Sequence, residues 1–187
     1  MEKIIIAFDT ETTGLIKPEV ADINKQPQII EYYGLKAIKR SDGVIEKIDE
    51  FETYLLPNEE VSATITKITG ITQAMVSNAP KFVSVFKQLA DFHRGVDTWT
   101  AHNLAFDAAM IANELSRIGK VLNFPFPTEH ICTVQKSMHI EQRRMTLTNL
   151  HKELFGHEFT GAHRAKTDVE AQFRCFQELH KQGVIKW

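Results

Sequence analysis

Cysteine is scarce in this 187-residue sequence: Cys132 and Cys175 stand far apart and fit no metal or redox spacing. A chain of this length buries roughly 70% of its unfolded surface and needs no covalent staples. The two thiols therefore fit a reducing compartment. Long apolar runs are missing too. None approaches the ~20 residues a membrane span needs, so no membrane partner is expected. The N-terminus lacks a basic stretch leading into an apolar one, so no secretory leader is expected. The expected location is cytoplasmic, a host cytoplasm for a viral source. There is no internal repeat and no low-complexity tract, and the length suits one domain, residues 1–187. An excess of either charge is also absent, since 22 Lys and Arg face 24 Asp and Glu, for a net charge of -2. This removes the basic footprint of many DNA-binding domains. It does not exclude nucleic acid, because acids that hold divalent cations draw phosphate through the cations.

What is present reads as strands first, then alternating helices and short strands. Residues 3–9 form a β-branched run suited to a buried strand. Residues 28–39 and 44–55 read as a hairpin turned at Ser41-Asp42-Gly43. Residues 15–27, with Pro18 and Pro27, read as a loop. A short helix is predicted over 61–69, ended by Gly70, and a stronger one between Pro80 and Gly95. In the latter Phe82, Phe86, Leu89 and Phe92 share one face. Thr98–Ala101 reads as a strand, followed by a helix over 105–118 with Ala108, Ile111, Leu115 and Ile118 inward. Residues 121–132 read as loop with a strand, 133–139 as a helix, and Thr146 as the cap of a helix ending at Gly156. The last helix, from about 165 to 182, buries Val169, Phe173, Phe176 and Leu179. Such an order implies an α/β fold, a mixed sheet flanked by helices.

Phe8-Asp9-Thr10-Glu11-Thr12-Thr13-Gly14 closes the first strand with two acids one residue apart. In a strand these side chains share a face, with Cα atoms about 6.6 Å apart. At 4 Å and an effective dielectric of 20 two such charges repel by roughly 4 kcal/mol. A hard divalent cation between them removes that repulsion. Taken alone, the pair reads equally as a solvated strand end. His102-Asn103-Leu104-Ala105-Phe106-Asp107 adds an acid in the first turn of a helix, and His163-Arg164-Ala165-Lys166-Thr167-Asp168 adds another. Each alone fits the ordinary complement of a helix dipole.

In this order and at these separations the three segments resemble the motifs of the DEDDh (DnaQ-like) 3′–5′ exonuclease family, that of the proofreading subunit of bacterial DNA polymerase III. Gln28–Glu31, Ile68–Thr72 and Leu147–Gly156 extend the likeness across nearly the whole chain. The sequence departs from the pattern at Thr69, Lys166 and Leu104-Ala105, none of them a chemical position. The resemblance implies a ribonuclease-H-like five-stranded sheet with three antiparallel and two parallel strands. It implies two divalent cations, Mg2+ or Mn2+, held by Asp9, Glu11, Asp107 and Asp168, with Asp9 bridging both. Glu11 and Asp168 would complete the nucleophile-side ion and Asp107 would support the other. His163 would be the general base. The implied reaction releases nucleoside 5′-monophosphates from a free DNA 3′ end, single-stranded or frayed by preference.

Thr12, Thr13 and Gly14 form a turn whose backbone N–H groups would meet the terminal nucleotide. By resemblance Leu15 is an apolar wedge against the last base, and Phe106, beside Asp107, would lie on the terminal sugar or base. Both also read as ordinary core. Arg143, Arg144, Arg164 and Lys166 read singly as a solvated basic face or as phosphate contacts. The partner expected is nucleic acid with a free 3′ end, DNA favoured over RNA, with a DNA polymerase or replication protein as a further partner. Because the chain stops directly after its last helix, it is expected to be free-standing or to dock by its folded surface. The alternatives are an exoribonuclease and a noncatalytic nucleic-acid-binding module. Zinc ligation by His130 and Cys132, or by His151, His157 and His163, matches no usual Cys/His pairing. Gln135-Lys136-Ser137-Met138 reads as plain helix and not as a clamp-binding peptide.

Overall fold

The first strand runs past the apolar residues that announce it. In the computed structural model, which describes residues 2–187, β1 spans Lys3–Thr12 and carries both acids within it. Pairing with β2 (Ile29–Lys39) sustains the extra length, with Asp9 opposite Tyr33 and Glu11 opposite Glu31. The register shifts only between Glu11 and Thr12. A hydrophobic run marks where a strand is buried, whereas the ladder decides where it stops.

β2 turns through residues 40–44 into antiparallel β3 (Ile45–Tyr54). After three helices, α1 (Ala63–Thr69), α2 (Gln73–Val76) and α3 (Phe82–His93), the chain returns as β4 (Thr98–Ala101), parallel to β1. α4 (Leu104–Arg117) then leads to β5 (Glu129–Cys132), parallel to β4. α5 (Thr133–Glu141), α6 (Leu147–Phe155) and α7 (Ala165–Lys181) complete the fold. The strand order is β3-β2-β1-β4-β5, a mixed sheet of three antiparallel and two parallel strands, as expected. Single turns of tight helix at Ile23–Lys25 and Val121–Asn123, and α2 itself, were not legible in the apolar pattern.

Alternation along β1 assigns its residues to two helical layers. Ile6 and Phe8 meet Tyr32, Trp99 and the apolar faces of α3 and α4. Ile5 and Ala7 meet Tyr33, Leu35, Leu150 of α6, and Val169, Phe173 and Phe176 of α7. The expected face of α7 is correct, as is the Thr146 cap, whose hydroxyl accepts from the Asn149 amide at 3.2 Å. Two expected helix faces hold in part: Phe82, Leu89 and Phe92 of α3 and Ile111 and Leu115 of α4 are buried, with unexpected residues beside them. Val85 is buried in α3 where Phe86 is half-buried, and α4 buries Leu104, Met110, Ile111 and Leu115 with Asp107 and Glu114. Ala108 and Ile118 are half-buried. Polarity hid the true face of α4, because both its acids are satisfied inside. Glu114 accepts from the Ile29 amide at 3.0 Å and pairs with Arg117 at 2.9 Å.

One buried polar group organises the α3–β4 side. Trp99 Nε1 donates to His93 Nδ1 at 2.9 Å, so His93 Nε2 carries the proton toward Tyr32 Oη, also 2.9 Å away. Burial pulls the His93 pKa down to about 3 and keeps the ring neutral. Among the described residues, no helix is long and apolar enough to cross a membrane.

Candidate active site

Asp9 and Glu11 point from β1 to the face covered by α7, and Asp168 stands in the first turn of that helix. One carboxylate oxygen from each of the three lies within 4.8 Å of the others. Folding thus brings like charges together in partial burial, and each carboxyl group becomes harder to ionise. Burial, then Asp168, Glu31 and Asp107, push Glu11 up to about 7, with Arg164 opposing. Burial raises Asp168 to about 6, against hydrogen bonding and charge from His163. Asp9 is raised well above its ordinary value, by burial first and then by Asp107, Glu11, Asp168 and Glu31. Three converging all-oxygen donors of this kind match a hard divalent cation. Among the described residues they are the only such group of three or more His, Cys, Asp or Glu side chains. The histidine and cysteine alternatives for zinc form no comparable cluster.

Asp107 is not one of the three. It approaches from α4, across the sheet, and is 2% exposed. Its Oδ1 accepts from the Thr10 amide at 3.0 Å and the Thr10 hydroxyl at 2.8 Å. Thr10 lies between Asp9 and Glu11 and so points to the opposite face from them. Burial raises Asp107 to about 7 despite those bonds. Among neighbouring charges it contributes first to the elevation of Asp9. The four acids thus divide into a converging trio and a fourth on the α4 side of the strand.

His163 is exposed and has φ of 69°, left-handed backbone that a non-glycine residue seldom adopts. Its amide donates to Asp168 Oδ2 at 3.0 Å. It lines a cleft of about 420 Å3 with Asp9, Asp168, His102, Leu147 and Phe159. His102 has a set orientation: Nε2 donates to the Met145 carbonyl at 3.1 Å, and Nδ1 lies 3.0 Å from the Thr133 hydroxyl. Burial lowers its pKa to about 4, so it stands neutral in the cleft wall.

The expected substrate contacts fare unequally. Leu15 is 79% exposed, which removes its reading as core. Phe106 is half-buried against the α3–α4 cluster. Thr12 is buried and its hydroxyl donates to the Gly14 carbonyl at 2.8 Å, shaping the turn. The Thr13 amide donates to Gln28 O at 2.9 Å, a bond within the protein. Its hydroxyl bonds Glu59 and the Gln28 amide. Arg164 pairs with Glu31 and Lys166 lies 3.8 Å from Glu50 and 3.9 Å from Glu52. Arg143 pairs with Glu141, and Arg144 reaches Asn103 at 3.0 Å. Gln135–Met138 lies in α5, as expected of plain helix.

Sequence reasoning assigned no site role to Thr10, Glu31 or His102. For Glu31 a signal exists, as the one acid inside the apolar run Ile29–Tyr33. Thr10 and His102 announce themselves only through their partners.

The exonuclease family model RNase_T matches residues 6–176. The DNA polymerase III PolC-type of Bacillus subtilis is 34% identical over 185 residues, covering 99% of this chain and 12% of that protein. The corresponding protein of Staphylococcus haemolyticus is 33% identical over 189 residues, again 12% of its length. The chain therefore spans about an eighth of these curated relatives. Among solved structures, the nuclease domain of 3′hExo, a DEDDh family member bound to rAMP, superposes with a TM-score of 0.74 at 20% identity, covering 98% of this chain and 93% of that one.

Proposed function

The chain belongs to the exonuclease family, and on that premise we propose that it is a 3′–5′ exonuclease of the DEDDh type, hydrolysing DNA from a free 3′ end with two divalent cations and a histidine general base. The observation that carries this reading is the convergence of Asp9, Glu11 and Asp168 beside His163. The donor set fits a divalent cation, since three partly buried carboxylates with raised pKa values gain most from a hard positive partner. Asp9, Glu11 and Asp168 would hold one ion, and Asp9 with Asp107 the other. Bound there, Mg2+ or Mn2+ would supply Lewis-acid polarisation of the phosphate and charge relief for the departing oxygen.

The protein's own residues do the rest. Asp168 takes the His163 amide and so sets the imidazole at the cleft. The His163 ring would accept the proton of the attacking water, a task that histidine performs more often than any other side chain. Thr10 keeps the Asp107 carboxylate aimed at the strand end. Exposed Leu15, following the Thr12–Gly14 turn, would meet the last base, and Phe106, beside Asp107, would lie on the terminal sugar or base.

DNA is the favoured substrate because the relatives at about one-third identity are named as DNA polymerases. Residues 1–187 would then act as one exonuclease domain working with a DNA polymerase or another replication protein. An exoribonuclease is the second reading, favoured by the fold shared with a domain that binds rAMP. One gel decides. Single-stranded DNA, duplex DNA and RNA, each 5′-labelled, are incubated with Mg2+, Mn2+ or chelator. The proposal expects metal-dependent ladders shortening from the 3′ end, fastest on single-stranded DNA. Faster laddering of RNA would replace DNA with RNA, and no laddering with either metal would leave only a binding module.

A further inference from the structure

Beside the acids assigned to the reaction stands a fifth carboxylate with a different set of partners. Glu31 is 1% exposed and pairs with Glu11 across the β1–β2 ladder. Left unpaired, a buried charge there would add to the repulsion of the trio. It is instead covered by one short segment. Arg164 Nη2 donates to Oε1 at 2.8 Å, Arg164 Nε lies 3.4 Å from Oε2, and the Ala165 amide donates to Oε2 at 3.1 Å. The guanidinium also bonds the hydroxyl of Tyr54, the residue opposite Glu31 on β3.

The segment so held begins with His163. That residue has left-handed backbone, and its amide is tied to Asp168 one turn into α7. Backbone held in such a region persists only where its surroundings over-determine it. Immediately after His163 come two residues anchored on one buried carboxylate. The anchor lies on the sheet, on the strand next to the one that carries Asp9 and Glu11. Sheet and imidazole are thereby referenced to the same point.

We propose that Glu31, Arg164 and Tyr54 form a latch that positions the His163 turn against the acidic site, with Arg164 acting as a positioning residue and not as a phosphate contact. This rests on the reading of His163 as general base. The latch predicts a particular pattern of loss. Releasing it frees the imidazole to leave its register and lowers turnover, while the β1 carboxylates keep their places and substrate binding survives. Arg164→Ala leaves Glu31 buried without its cation, so the variant also risks misfolding. Glu31→Gln, which keeps an oxygen for the Ala165 amide, and Arg164→Lys, which keeps the charge, are the milder partners.

The test is a double-mutant cycle on 5′-labelled oligonucleotide, with kcat and KM measured separately and folding checked by melting temperature. The expected result is a kcat about 10–100-fold lower in Arg164→Ala, with KM changed less than about threefold. Glu31→Gln should show the same split more weakly, and Arg164→Lys should recover part of the rate. In a His163→Ala background, Arg164→Ala should lower kcat by no more than about twofold, because the group it positions is gone. A rise in KM that persists in the His163→Ala background would make Arg164 a substrate ligand and overturn the latch. An undiminished kcat loss in that background would do the same. If Arg164→Ala does not fold, Glu31→Gln takes its place in the cycle under the same criteria. Should His163→Ala alone keep full turnover, the general-base reading fails first, an outcome distinct from additivity in the cycle.

Discussion

Thr10 holds Asp107 by two hydrogen bonds, one from its amide at 3.0 Å and one from its hydroxyl at 2.8 Å. The residue between the two strand acids thus aims a third from the opposite side of the sheet. Thr10→Val keeps the shape and the amide but deletes one donor to a buried carboxylate. A hydrogen bond to a charged group contributes about 1.5 kcal/mol or more. The Mg2+ concentration for half-maximal activity should therefore rise roughly tenfold. A metal titration of turnover checks this, and an unchanged midpoint would detach Asp107 from metal binding.

His163 and Asp9 should fail differently. His163→Ala is expected to cost ~10²–10⁴-fold in rate with Mn2+ binding preserved, because the proposed general base leaves and the proposed ligands stay. Asp9→Ala is expected to abolish activity and weaken Mn2+ binding. Calorimetry alongside single-turnover rates separates the two. Wild-type turnover in the first variant, or wild-type affinity in the second, would remove the role assigned.

The raised carboxyl groups set a direction for stability against pH. Between an ordinary 4.5 and about 7 the folded state holds a proton on Glu11 that the unfolded state has lost. Stability contributed by this group therefore falls as pH rises through that window. In chelator at pH 8, Glu11→Gln should be the more stable by roughly 1–3 kcal/mol, with the advantage gone below pH 4.5. Saturating Mg2+ should reverse the order at pH 8 by favouring the wild type. His93 and His102, held neutral by burial at about 3 and about 4, act in the opposite sense as pH falls below their usual range. Because they are common to both proteins, the difference between melting curves isolates Glu11. A variant no more stable at pH 8 without metal would contradict the crowding of the acids.

Gly34 occupies the centre of β2 for a reason of space. A Cβ placed there would lie 2.6 Å from Tyr32 Oη and 2.8 Å from Phe92 Cε1. Tyr32 is fully buried and engaged with His93, so it has little room to give. Gly34→Ala should lower stability by about 1–3 kcal/mol in urea denaturation. Stability equal to wild type would mean that the aromatic cluster yields.

The sequence by itself determined the kind of fold and, through its resemblance to known exonucleases, the family. A first strand, a hairpin and alternating elements implied the mixed sheet, and three short segments implied the exonuclease family by resemblance. Local patterning carries the elements because strand alternation and caps such as Thr146 are properties of neighbouring residues, whereas the acids are read together as a site only through the resemblance. Only the tertiary structure decided which groups meet. The separation of Asp107 from the other three acids follows from opposite faces of β1, and the true face of α4 depends on acids satisfied by Thr10, Ile29 and Arg117. The attachment of the His163 turn to Glu31 joins residues 133 apart in sequence. Such pairings lie between elements whose order in the sheet is set by how two helical layers close over it, and no periodicity along the chain encodes that.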